Sequence, residues 1–182
     1  MNDIYEYLDE LQSDIFLLNL EDIEKKYYKI CEQLAGIEVA QKIKNLDLRE
    51  YEEGLKKSFT DSINYLNENE IKSLYFEYDM DNNWNGQFYL CEDYYPLEEE
   101  EEDDDWACDW QHSIEGPNLR EFSDIYNKSD GFDTTNASHG TIIFLITRTI
   151  IAYIKGVQSY ELNIPICIGF HDQDPIFRLK KD

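Results

Sequence analysis

Residues 74–92 read LYFEYDMDNNWNGQFYLCE, and this stretch decides the fold. Leu74, Phe76, Tyr78 and Met80 alternate with Tyr75, Glu77 and Asp79, and Phe88, Leu90 and Glu92 alternate with Tyr89 and Cys91. A period of two is the signature of a half-buried strand. Between the two runs lies DNNWNG, with Asn85-Gly86 as the favoured hairpin dipeptide. The stretch therefore predicts a β-hairpin turning at Asn85-Gly86.

Upstream of it the period is different. Ile4, Leu8, Leu11, Ile15 and Leu18 recur every three or four residues, as on one face of a helix. A second helix is expected over about residues 21–34, with Gly36 as its stop, and a third over about residues 47–67. Downstream, a short strand is expected around residues 106–112 and a short helix over LREFSDIYN. Thr134 or Thr135 is placed to cap a long apolar helix ending near Gly156. Strands over residues 164–171 and 176–179, separated by the turn DQDP, complete the set. The fold class expected is α+β: N-terminal helices, then a mostly antiparallel sheet with one buried apolar helix. One domain is expected over residues 1–182, helical to residue 70 and sheet-based from 71. The apolar run 141–154 has Arg148 inside it and reads as a core helix too short and too polar to span a bilayer.

Charge narrows the function. The chain of 182 residues has 40 acids and 16 Lys plus Arg, a formal charge of −24. Phosphate backbones and anionic membranes repel such a chain, so neither nucleic acid nor membrane is an expected partner. With 14 Tyr, 9 Phe and 3 Trp it does not have the composition of a disordered chain. The charge is local. Residues 1–72 hold 17 acids and 9 bases, residues 73–119 hold 15 acids and no Lys or Arg, and residues 120–182 hold 8 acids and 7 bases. The densest part is residues 98–105, EEEEEDDD. Such a run on its own reads as a solvated loop. Here Tyr94 and Tyr95 precede it and Trp106 and Trp110 follow it, and a solubilising tail needs none of them. Acids mixed with large aromatics are the composition of a partner-binding surface. The residues expected to form it are Asp79, Asp81, Glu92, Asp93, Tyr94, Tyr95, Asp103, Asp104, Asp105, Trp106, Asp109 and Trp110.

Other chemistry finds little support. Asp81, Asn83, Asn85, Gly86 and Glu92 match a calcium-loop pattern, but that motif needs a helix on each side and both flanks here alternate like strands. The hairpin is the better reading. His112, His139 and His171 have no zinc spacing with one another or with cysteine. No glycine-rich phosphate loop or nucleophile motif occurs, so no metal, no cofactor and no catalytic residue is expected. Cys31, Cys91, Cys108 and Cys167 are scattered, and the acidic start MNDIYEYLDE does not read as a signal peptide. These features predict reduced thiols and a cytoplasmic protein.

The segments LYFEYDMDNNWNGQFYLCEDYYP (residues 74–96) and DDDWACDW (residues 103–110) resemble, in style, those of bacterial immunity proteins. These are the antidotes encoded beside contact-dependent-inhibition and other polymorphic toxins. The resemblance covers about the middle quarter of the chain. It implies a cognate toxin domain as partner, basic and often a nuclease, whose cleft the acids would occupy. Two alternatives stay open: a nucleic-acid mimic antagonising another DNA- or RNA-binding protein, and a metal-assisted hydrolase using Asp79, Asp81 and Glu92.

Overall fold

The structure is a computed structural model, and it describes residues 3–66, 70–97, 104–132, 134–160, 162–171 and 173–180. Four helices come first: α1 (Ile4–Leu17), α2 (Leu20–Ala35), α3 (Ile37–Lys44) and α4 (Arg49–Leu66). Their buried residues include Ile4, Leu8 and Leu11, then Ile23 and Tyr27, then Tyr51, Leu55 and Phe59, all on the expected stripes; in α2 Cys31 is also buried, while Ile30 and Leu34 of the expected stripe are only partly so. The Asn19 side chain caps α2 by accepting from the Asp22 N–H at 3.0 Å. Gly36 does end α2, at φ 93°. The chain turns straight into α3, which the periodicity did not reveal because only Ala40 and Ile43 of its eight residues are buried. Arg148 secures the end of α3, its Nη1 donating to the carbonyls of Ile43, Lys44 and Leu46. These are carbonyls that a helix end leaves without helical partners.

The sheet has five strands: β1 (Ser73–Asp79), β2 (Asn85–Cys91), β3 (Trp110–Glu115), β4 (Ile166–Phe170) and β5 (Gln173–Arg178), in the order β3-β2-β1-β4-β5. Three pairings are antiparallel and β1–β4 is parallel. A parallel neighbour demands a long crossover, and here it contains α5 (Arg120–Lys128) and α6 (Asn136–Val157). The architecture is the α+β arrangement expected, with α6 as the buried apolar helix.

Helix α6 is longer than the run read from the sequence. Its 22 residues are enough, by length and composition, to cross a membrane, but 83% of its most apolar window is buried inside the fold. Thr135 is the residue that caps it, accepting from the Ser138 N–H at 3.1 Å. It packs on α2, α4 and the inner face of the sheet. There Phe76 stacks on Tyr153 at 5.0 Å and Phe88 lies 6.0 Å from the same ring.

Three local expectations need correction. The hairpin turns at residues 80–84, with positive φ at Asn83 and Trp84; Asn85 and Gly86 are already in β2, opposite Asp79 and Tyr78. The cause is Trp84. It is fully buried, stacks on Tyr78 at 5.2 Å and donates from Nε1 to Thr149 Oγ1 at 3.0 Å. Gly86 serves a different need, since a Cβ there would sit 2.5 Å from the Phe76 ring. The strand expected at residues 106–112 begins only at Trp110, because residues 104–108 form a 3-10 turn. The last hairpin is tighter than DQDP implied: β5 starts at Gln173 and takes in Pro175, which an edge strand tolerates.

Candidate functional site: the acidic outer face of the sheet

Alternation along the strands gives the sheet a second face. Leu74, Phe76 and Tyr78 point to the helices, while Tyr75, Tyr89, Cys91, Cys167, Ile176 and Arg178 point away. Between β2 and β3, Tyr94 and the turn of residues 104–108 lie over this outer face. The turn is seated by Trp106 and Ala107, which pack with Tyr75, Cys91, Cys167 and Ile176 as a small second core. Tyr94 meets Trp106 edge-on at 5.4 Å.

Arg178 pins the segment down. Its side chain is fully buried, its Nη2 donates to the Tyr95 carbonyl at 2.9 Å and its Nη1 to the Ile176 carbonyl at 2.6 Å. Its guanidinium lies 5.1 Å from the Trp106 ring and 5.7 Å from that of Tyr94. Nothing in the strand-like run IFRL marked this arginine as buried; its pairing with Cys167 sets it on the outer face, under the covering segment.

The twelve residues expected at the surface divide. Glu92, Asp93, Tyr94, Tyr95, Asp109 and Trp110 gather at one end of β2. The Glu92 N–H donates to the Asp109 carbonyl at 2.9 Å, and Asp93 pairs with Lys72 at 2.5 Å. Trp110 is 45% exposed and lies against Tyr89 at 5.3 Å. The backbone of Asp104 and Asp105 begins the 3-10 turn, and Asp103, like all of residues 98–103, lies outside the described residues. Trp106 is corrected: at 1% exposure it is an internal packing residue and has no surface to offer a partner. Asp79 and Asp81 are also set apart. They stand at the turn end of the hairpin, roughly 20 Å from Glu92 along a seven-residue strand. There Asp79 Oδ1 accepts from the Asp81 and Asn82 N–H groups, both at 3.1 Å, and so shapes the turn.

That separation removes two chemical readings. Asp81 and Glu92 do not wrap one calcium ion, and Asp79, Asp81 and Glu92 do not form one metal-binding cluster. Among the described residues no three His, Cys, Asp or Glu side chains are grouped to hold a metal. None of the four cysteines is in a disulfide, and burial pushes the Cys91 thiol up to about 12, so it is protonated at neutral pH. A polar row on the same outer face was not foreseen. The Tyr75 hydroxyl donates to Glu77 Oε2 at 3.3 Å, and His171 Nδ1 lies 3.0 Å from Glu77 Oε1. Burial, then the charge of Glu77, raises the Tyr75 phenol well above its ordinary value.

The outer face thus combines a small aromatic seat, one buried cation and a rim of exposed carboxylates around Trp110. No family model, no curated protein and no solved structure matches the chain.

Proposed function

We propose that the chain is an immunity protein that binds and neutralises a basic toxin domain, one acting on nucleic acid, in the cytoplasm of the cell that makes both. The observation that carries the reading is the concentration of 15 acids and no Lys or Arg in residues 73–119, of which Glu92, Asp93 and Asp109 stand at the same end of β2 as the half-exposed Trp110. Single exposed ion pairs contribute only about 0.2–1 kcal/mol each. A field of one sign still raises association toward about 10⁸–10⁹ M⁻¹s⁻¹. Fast capture suits an antidote, because free toxin acts at once. Trp110 supplies the apolar anchor that slows dissociation.

A mimic of nucleic acid aimed at another DNA- or RNA-binding protein would use the same acids, and the eight-acid run 98–105 favours keeping it as the second reading. Neither reading assigns the chain a catalytic step.

The test is co-expression with the product of the gene immediately upstream. The reading expects that product to arrest growth alone, to be harmless with this chain, and to form a complex that weakens as salt rises. An upstream product that is harmless alone, or that this chain does not bind, contradicts it.

A further inference from the structure

The two edges of the sheet are treated differently. Strand β5 is closed by α1: Gln12 Nε2 donates to the Arg178 carbonyl at 3.0 Å and Gln12 Oε1 accepts from the Arg178 N–H at 2.7 Å. Among the described residues, strand β3 has β2 as its one strand neighbour. The Gly116 N–H donates to the Gly86 carbonyl at 2.8 Å, so the Glu115 carbonyl points away from β2. Ser58 Oγ confirms this direction by bonding that carbonyl at 2.8 Å. Backbone direction alternates along a strand. His112 and Ile114 therefore face β2, and the Ser113 N–H and C=O face outward, with no partner among the described residues.

Helix α4 borders this strand, with Ser58 holding the Glu115 carbonyl and Tyr65 stacked on His112 at 4.4 Å, so the open part of the six-residue edge is the backbone pair of Ser113, and such an open pair is a template for another strand. Proteins commonly guard such edges with lysine or proline, and β3, Trp-Gln-His-Ser-Ile-Glu, has neither. Its bulge next to Cys91 shortens the open length, and its surroundings are negative: Glu92 and Asp109 at one end, Glu115 at the other. Negative charge repels a second copy of a −24 chain and attracts a cationic segment.

We propose that the outer edge of β3 accepts a cationic extended segment of the partner as a sixth strand. The segment pairs with the Ser113 N–H and C=O, its basic side chains meet Glu92, Asp109 and Glu115, and Trp110 packs against it on the outer face. The inference rests on the partner-binding reading and specifies how the partner engages.

Two synthetic ten-residue peptides, both alternating Lys with Val or Thr, test it on the full chain at low salt. One has an ordinary backbone and the other is N-methylated at every residue, with the same charge and no backbone N–H donors. The ordinary peptide is expected to bind at least about tenfold tighter and to slow amide exchange at Ser113. Ser113→Pro, which removes the outward N–H, abolishes that preference. Ser113→Lys keeps both backbone groups and adds a positive charge, so it is expected to weaken the two peptides alike and to retain the preference; loss of the preference in Ser113→Lys would contradict backbone pairing without depending on how proline affects the fold. Equal binding of the two peptides, or binding without protection at Ser113, overturns strand addition and leaves the acidic-surface reading standing. If neither peptide binds, both fall.

Discussion

One sheet carries two kinds of cover. On the inner face, α4 and α6 cover the strands and α2 packs behind α6, so that Leu74, Phe76, Tyr78, Phe88 and Leu90 lie under a continuous apolar layer. On the outer face, a segment of the chain's most acidic region lies over Tyr75, Cys91 and Cys167, held by Trp106 and Arg178. The first cover is there to exclude water. The second is a small aromatic seat, and Glu92 and Asp109 beside it are exposed. The difference sets the main apolar core and a charged face on opposite sides of a single sheet, so that under the proposed function stability and recognition are separated across its thickness. Changes on one face can then be read apart from changes on the other.

The largest expected effect is on the inner face. Trp84→Ala removes a fully buried ring and its bond to Thr149, and should lower unfolding free energy by about 3–5 kcal/mol in a urea titration. A loss below about 1 kcal/mol would mean that the turn of the hairpin is not part of the core. Next comes the pin of the outer cover. Arg178→Met keeps the stem but deletes the bonds to Tyr95 and Ile176, at about 2–3 kcal/mol. Proteolysis within the segment between β2 and β3 should quicken before the rest of the chain is cut. Cleavage at the parental rate would show that the strap is held by something else.

Alkaline pH touches both faces. Burial pushes Cys31, on the inner side, and Cys91, on the outer, up to about 12 from 9.0. A folded pKa above the unfolded one gives stability that is complete below about pH 9 and lost as pH rises through 9 to 12. Each thiol should contribute a loss of roughly 1 kcal/mol by pH 10. Burial also raises the phenols of Tyr51, Tyr78 and Tyr153, which adds to the fall at higher pH. Urea midpoints at pH 8 and pH 10 measure it, and equal midpoints would contradict the burial of both thiols. The smallest effect on stability belongs to Trp110→Ala, expected within about 0.5 kcal/mol because the ring is half in solvent. Trp106→Ala, one turn away in sequence, should destabilise clearly. If the two variants behave alike, the distinction between seat and anchor fails.

The change of period at residue 74 made the fold class legible, and the stripes of α1, α2, α4 and α6 are strong because each buries a whole face. Helix α3 was not legible, since two buried residues make no stripe. The turn was misplaced because local chemistry favours Asn-Gly, whereas burying the Trp84 ring is worth more and shifts the turn by two residues. Of the site, the acids were plain from composition. Their division between the two ends of β2 needed the strand length, and the opposite fates of Trp106 and Trp110 needed the 3-10 turn that tips one ring inward. Arg178 was invisible because its role depends on which segment crosses above it.

The central claim is that the outer carboxylates steer a basic partner. The direct measurement is stopped-flow association with the upstream gene product at low salt, comparing the parent with Glu92→Gln, Asp104→Asn, Asp105→Asn and Asp109→Asn combined. The account predicts association slowed by roughly tenfold or more, with dissociation changed less than about twofold. Association at the parental rate would contradict it.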